Sequence, residues 1–131
     1  MVILDTNVLI FDALAPQRLS RAAHRAIEQA NAEAALACCD ISLWEIAMLI
    51  AKQRLDPGKD ALSFLKLVLA ARNFRVLAIV PEIAKLSVRL EDVNPDPADR
   101  IIAATAVFYD ATLITRDKNL RDAGLSLNVV W

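Results

Sequence analysis

The sequence predicts an α/β fold in which helices cover both faces of a small, mainly parallel sheet. Short apolar runs that are typical of strands alternate with longer helical segments along the chain, as they do in parallel sheets. Apolar residues make up 56% of the sequence and aromatic residues only 5%, so the expected core consists of Ala, Leu, Ile and Val. The length of 131 residues fits one domain, residues 1–131, and no linker divides it.

Five strands are expected, at residues 2–4, 34–39, 75–80, 111–115 and 127–131. Helices are expected between them, at residues 7–14, 21–31, 40–50, 60–72 and 97–109, with two more beginning at residue 81 and within residues 116–120. Turn and capping residues set several of these limits. Pro16 breaks the first helix, Ser20 is a typical N-cap for the second, and Pro81 suits the first turn of a helix because its missing N–H is not needed there.

Composition excludes several classes of function. Fifteen basic and sixteen acidic residues give a formal net charge of −1, so overall charge indicates neither a nucleic-acid binder nor a membrane-surface protein. The chain begins without a basic leader and its apolar runs are interrupted by charges, so we expect a cytoplasmic protein with no membrane span. Cys38 and Cys39 are adjacent, which favours buried packing over a thiolate metal site. His24 is the sole histidine, which disfavours a catalytic triad.

The first strand runs directly into an acid. Asp5 follows three apolar residues, and a second apolar run, residues 8–11, begins soon after it. A buried carboxylate needs a cation or several hydrogen-bond donors, and the carboxyl ends of parallel strands are where ligands bind. Asp5 is therefore a candidate site residue, although a turn or helix-capping role is the favoured interpretation when it is taken alone.

Three further acids have the same two interpretations. Glu45 follows Ser42 at the spacing of a capping box, and Asp99 and Asp117 lie where first-turn or N-cap acids occur. Parallel strands with right-handed crossovers all end at one edge of the sheet, which places Asp5, Glu45 and Asp117 together. Asp99 joins them only if the loop at residues 94–97 brings its helix back to that edge. Glu82, which also follows a strand, is a control showing that position alone does not make an acid catalytic.

Four converging carboxylates would raise one another's pKa unless a cation neutralised them. Oxygen ligands without histidine or thiolate pairs select hard ions, so the expected cofactor is Mg²⁺ or Mn²⁺, as one or two ions. The natural chemistry of such a site is hydrolysis of phosphodiesters, in which one ion activates water and the other stabilises the leaving oxygen.

Four motifs carry a family resemblance: residues 4–7 (LDTN), 42–46 (SLWEI), 96–100 (DPADR) and 113–118 (LITRDK). In their order and spacing they resemble the acidic motifs of PIN-domain ribonucleases, and the chain is similar to VapC-type toxins of toxin-antitoxin systems. The resemblance implies a three-layer fold with strand order 3-2-1-4-5. It implies an acidic metal site formed by Asp5, Glu45, Asp99 and Asp117. The polar neighbours that it implies, which orient the acids or water, are Thr6, Asn7, Thr115 and the accessory acid Asp96, for which helix capping is the favoured role.

The resemblance also implies partners: an RNA substrate cut to leave a 5′-phosphate and a 3′-hydroxyl, a cognate antitoxin, and a second copy in a homodimer. Cations beside the acids, Arg100, Arg116 and Lys118, are the best candidates for contacts to RNA phosphates, with solvated surface or a salt bridge as the alternative. Arg18, Arg21 and Arg25 recur at helical spacing and could form a basic face.

Two other functions remain open. The segment beginning at Asp5 is also similar to the nucleophile motif of haloacid-dehalogenase phosphatases, but Asn7 stands where that class has a second aspartate. A non-enzymatic module would instead bind a partner helix through exposed apolar side chains. The candidates for that surface are Leu9, Phe11, Trp44, Leu49 and Leu62.

Overall fold

A computed structural model describes residues 1–123 and 126–131 of the chain. The strands are β1 (Val2–Leu4), β2 (Leu36–Cys39), β3 (Arg75–Leu77), β4 (Thr112–Ile114) and β5 (Asn128–Val130). The helices are α1 (Thr6–Leu14), α2 (Arg21–Ala32), α3 (Asp40–Ala51), α4 (Ala61–Ala71), α5 (Pro81–Val88), α6 (Pro97–Phe108) and α7 (Lys118–Arg121). A short 3₁₀ turn, Pro16–Arg18, follows α1.

The strands form one sheet in the order β3-β2-β1-β4-β5, and all four pairings are parallel. Leu4 at the end of β1 pairs with Cys38 of β2 on one side and with Ile114 of β4 on the other. The predicted fold class and strand order are therefore confirmed. This register brings the carboxyl ends of β1, β2 and β4 together at the centre of one edge.

Alternating side chains give the sheet two apolar faces, as the pleat of a strand requires. Ile3 and Leu113 pack into a core with residues of α5, α6 and α7, whereas Leu4 and Ile114 pack into a second core with residues of α1, α2 and α4. Both cores are rich in small and aliphatic residues, as predicted. Stacking helices on both faces produces three layers.

Cys38 and Cys39 continue this alternation at the end of β2. Cys38 belongs to the core of α1, α2 and α4, and Cys39 to the opposite core. Burial raises the pKa of each thiol to about 12, so both remain protonated at neutral pH. The predicted packing role is confirmed.

Two strands are shorter at one end than predicted because the chain leaves the sheet there. β3 ends at Leu77, which pairs with Cys39, because β2 gives way to α3 at Asp40 and offers no further partner. The carboxylate of Asp40 accepts the free N–H of Ile79 at 3.2 Å. At the other strand, Ala34 has a φ of 53° and ends α2 in the left-handed region, so β2 begins only at Leu36.

No helix within residues 1–123 and 126–131 combines the length and the apolar character needed to cross a membrane.

Candidate active site

Asp5 stands at the centre of the carboxyl edge and is 6% exposed. Its N–H donates to the carbonyl of Ile114 at 3.1 Å, which extends the β1–β4 pairing by one bond. The Thr115 hydroxyl donates to Asp5 Oδ2 at 2.6 Å. Asp5 occupies the N-cap position of α1 but its side chain makes no capping hydrogen bond, so the carboxylate remains available to the site.

Glu45 reaches the same edge from α3. The Thr6 hydroxyl donates to Glu45 Oε1 at 2.5 Å, and the buried hydroxyl of Ser42 lies 2.9 Å from Thr6 Oγ1. Because the single hydroxyl proton of Thr6 goes to Glu45, Ser42 supplies the proton of the second bond. The capping-box interpretation of Glu45 is wrong, since α3 begins at Asp40 and Ser42 lies inside the helix.

Asp117 follows β4 and caps α7 by accepting the N–H of Asn119 at 2.8 Å. Its second oxygen accepts a hydrogen bond from Asn94 Nδ2 at 2.7 Å, while Asn94 Oδ1 accepts the N–H of Asp96 at 2.8 Å. Asn94 is 4% exposed, so both ends of a buried amide link Asp117 to the start of α6. The sequence indicated only a loop here and missed this role.

The first turn of α6 carries Asp96 and Asp99. Asp96 is exposed and caps the helix by accepting the N–H of Ala98 at 2.9 Å, in its favoured role. Asp99 is half-buried, and burial together with the negative charges of neighbouring acids raises its pKa to about 7. The neighbours with this effect, in order of size, are Asp5, Asp96, Asp117 and Glu45. The loop before α6 therefore brings the start of this helix back to the carboxyl edge of the sheet, so Asp99 lies with the other acids.

The site carries a surplus of negative charge, and its acids form no salt bridge among the described residues. Burial raises the pKa of Asp5 and of Glu45, the hydrogen bonds from Thr115 and Thr6 oppose that rise, and the charge of Asp96 adds to it in both cases. Within the part of the chain that the structure describes, the ion pairs join Arg72 to Asp12 and to Glu28, and neither pair includes an acid of this site. We call Asp5, Glu45, Asp96, Asp99 and Asp117 the acidic cluster.

The chemistry of the acidic cluster fits a hard divalent cation, because every donor is oxygen and the surplus charge is negative. In residues 1–123 and 126–131, however, no three acidic, thiol or imidazole side chains are already arranged to hold a metal ion. A bound Mg²⁺ would therefore take one or two carboxylates and complete its shell with water and substrate oxygens, which is its usual behaviour in proteins.

The remaining candidate residues lie around the acidic cluster. Asn7 is exposed, and no hydrogen bond of its side chain occurs among the described residues. Arg100 Nη1 lies 3.4 Å from the carbonyl of Asn94, at the long limit of a hydrogen bond. Arg116 and Lys118 are exposed on either side of Asp117. Glu82 is exposed in the first turn of α5 and is not among the charges that raise the pKa values of the acidic cluster.

The family model of the PIN domain matches residues 2–125 of the sequence. This chain belongs to the PIN-domain family. The PIN-domain assignment leaves the haloacid-dehalogenase alternative without support. Over 121 residues the chain is 40% identical to Ribonuclease VapC22 of Mycobacterium tuberculosis (strain ATCC 25618 / H37Rv), an alignment that covers 92% of this chain and 89% of that protein. The predicted likeness to VapC-type proteins is confirmed.

Solved structures share the PIN fold over nearly the whole chain. VapBC2 from Rickettsia felis, bound to a DNA fragment from its promoter, gives a TM-score of 0.72 at 18% identity and covers 99% of this chain and 98% of that chain. A toxin-antitoxin complex from Klebsiella pneumoniae gives 0.64 at 25% identity, with coverage of 100% and 97%. FitAcB from Neisseria gonorrhoeae gives 0.65 at 23% identity, again covering 100% and 97%.

The predicted apolar surface for a partner helix is only partly present. Leu9 and Phe11 are buried, at 2% and 6% exposure, so their assignment to an exposed surface was wrong. Both lie on the buried side of α1, and Leu9 packs into the core that also contains Leu4 and Ile114 of the sheet. Trp44 and Leu62 are exposed, at 58% and 64%, and Leu49 is intermediate.

Proposed function

We propose that this PIN-domain chain is a metal-dependent endoribonuclease that acts as the toxin of a toxin-antitoxin pair. The observation that carries the proposal is the acidic cluster: acids from four separate segments share one edge of the sheet, and none of them forms a salt bridge among the described residues. The 40% identity to a protein named as a ribonuclease supports RNA as the substrate.

In this proposal Asp5, Glu45, Asp99 and Asp117 hold one or two Mg²⁺ or Mn²⁺ ions. When bound, a divalent ion would lower the pKa of the attacking water and stabilise the leaving oxygen. Thr115 donates to Asp5 and Thr6 donates to Glu45, so each hydroxyl fixes one carboxylate in a single orientation. Asn7 and Asp96 line the approach to these acids as polar neighbours.

The substrate is bound through its phosphates. Arg100, Arg116 and Lys118 adjoin the acids in the sequence and provide positive charge where the whole chain, at −1, provides none. Hydrolysis by an activated water at this site gives a 5′-phosphate and a 3′-hydroxyl. A cytoplasmic location, where RNA is present, is part of the same proposal.

The partner in this proposal is a small antitoxin protein that keeps the nuclease inactive. Support comes from the structures that share the fold, since the R. felis and K. pneumoniae proteins were solved as VapBC and toxin-antitoxin complexes. Exposed apolar residues such as Trp44 and Leu62 are available for contacts with the antitoxin or with a second copy in a homodimer.

The test is cleavage of RNA by the purified, partner-free chain with Mg²⁺ or Mn²⁺. We expect cleavage to stop with chelator, and the Asp5→Asn and Asp99→Asn variants to lose most of the activity. Asp92→Asn is the matched control because Asp92 is an exposed acid outside the acidic cluster. Full activity in Asp5→Asn and Asp99→Asn, or cleavage that persists in chelator, would refute the assignment of the metal site.

A further inference from the structure

Two arginines from distant parts of the chain meet on one aromatic ring. The guanidinium carbon of Arg18 lies 4.2 Å from the centroid of the Phe11 ring, and that of Arg116 lies 5.5 Å from the same centroid. Arg18 comes from the 3₁₀ turn after α1, whereas Arg116 follows β4. The sequence grouped Arg18 with Arg21 and Arg25, but the structure separates it from their helix and places it at the same ring as Arg116.

The ring holds these cations in place. Phe11 is 6% exposed, so its buried ring provides a rigid support for both guanidinium groups. An aromatic face attracts a cation, and a side chain held on it loses less freedom when it binds a ligand. The planar guanidinium also has the donor geometry that suits phosphate.

Neither cation forms a salt bridge with an acid among the described residues. The ion pairs of the described residues all involve Arg72, and both Arg18 and Arg116 are exposed. Two like charges brought to one ring repel each other, and an anion between or beside them removes that repulsion. The arrangement is therefore suited to a negatively charged ligand.

The ligand can be identified from the location of the pair. Arg116 stands between Thr115 and Asp117, which both belong to the candidate active site. Phe11 lies six residues beyond Asp5 on α1, which corresponds to about 9 Å along a helix. An RNA strand whose scissile bond lies at the acidic cluster would place a neighbouring phosphate near this ring.

We propose that Arg18 and Arg116, supported by Phe11, form a phosphate-binding site that holds single-stranded RNA next to the acidic cluster. This inference rests on the proposed function, because it assumes that RNA is the substrate. The site contacts the RNA backbone and does not distinguish one base from another, because the Phe11 ring is buried and cannot stack on a base.

The experiment measures binding of a labelled single-stranded RNA of mixed sequence by fluorescence anisotropy over a range of salt concentrations. All variants are made in an Asp5→Asn background so that the RNA stays intact. We expect Arg18→Gln to raise Kd roughly 10-fold at low salt, and to reduce the slope of log Kd against log salt by about 0.7, the value for one phosphate contact on a single strand. Arg116→Gln should behave in the same way.

Two further variants separate a specific site from general charge. Arg25→Gln removes the same charge from an exposed position on α2 that has no contact with the ring, so it should leave the slope unchanged. Phe11→Leu keeps both arginines and an apolar side chain in the core. It should weaken binding less than either arginine variant, without a change of slope, because the phosphate contact remains but its support is lost.

Several results would overturn the proposal. Equal effects of Arg18→Gln and Arg25→Gln would indicate diffuse attraction rather than a site. Unchanged RNA binding in the Arg18 and Arg116 variants, with weaker binding of an acidic peptide, would assign the pair to a protein partner. If the Asp5→Asn chain binds RNA normally and Arg18→Gln does too, only this inference fails. If the Asp5→Asn chain binds no RNA and the native chain cleaves none, both this inference and the proposed nuclease function fail.

Discussion

Replacing Asp99 with asparagine should stabilise the metal-free protein at pH 8. Burial and the neighbouring acids raise the pKa of Asp99 from 3.8 to about 7. An acid with a higher pKa in the folded state binds its proton more tightly there, so stability is greatest at low pH and is lost as the pH rises from about 4 to about 7. Above that range the ionised side chain remains a cost to folding.

The size of this cost follows from the shift in pKa. A change of about three units corresponds to about 4 kcal/mol. Because Asp99 is only half-buried, solvent screens part of its interaction, and we expect Asp99→Asn to raise the free energy of unfolding by about 1–2 kcal/mol at pH 8. The difference should shrink at pH 5, where the folded native protein already carries the proton.

The assay is urea unfolding in chelator at pH 5 and pH 8, followed by circular dichroism. Asp92→Asn, the exposed control outside the acidic cluster, should change stability equally little at both values. Some pH dependence should persist in Asp99→Asn, since burial raises the pKa of Asp5 and Glu45 in the same direction. An Asp99→Asn protein that is less stable than the native chain at pH 8 would show that the ionised carboxylate does not oppose folding.

Three other substitutions test separate parts of the structure by the same unfolding assay. Asn94→Asp keeps the size of the side chain but replaces the N–H donor 2.7 Å from Asp117 with a like charge. It should lower the free energy of unfolding by about 1–3 kcal/mol at pH 8, and no change would disprove the link between Asn94 and Asp117. Arg72→Met removes two hydrogen bonds, at 2.7 and 2.9 Å, from the carboxylate of Asp12, whose side chain is 7% exposed. It should lower the free energy of unfolding by about 2 kcal/mol, and an unchanged value would show that this ion pair does not stabilise the fold. Ala34→Gly should stabilise the chain by about 0.5 kcal/mol because the φ of 53° favours glycine, and any loss of stability would count against strain at this turn.

The sheet was predictable because its strands carry strong local signals. Short apolar runs such as residues 2–4 and 111–115 cannot form an amphipathic helix, and their alternation with helices implies parallel pairing. The strand limits were less predictable. Residues 78–80 have the composition of a strand, yet they lie beyond the end of β2, and only the neighbouring strand determines where pairing stops.

The candidate site divides along similar lines. Asp5 and Asp117 were placed by topology, because the ends of parallel strands share an edge. Asp99 could not be placed in this way, since its position depends on the course of a loop. Asn94 was missed because its partner Asp117 is 23 residues away, and the sequence contains no sign of a contact between two side chains at that separation.

In the proposed function, acids from four segments of the chain form one site for a divalent cation. The most direct measurement is a crystal structure grown with Mn²⁺, in which anomalous scattering locates the ion independently of any activity. We predict a peak in contact with the carboxylates of Asp5, Asp99 or Asp117 in the native chain, and its loss in Asp5→Asn. An ion bound only elsewhere, or no peak at the acidic cluster, would contradict the account.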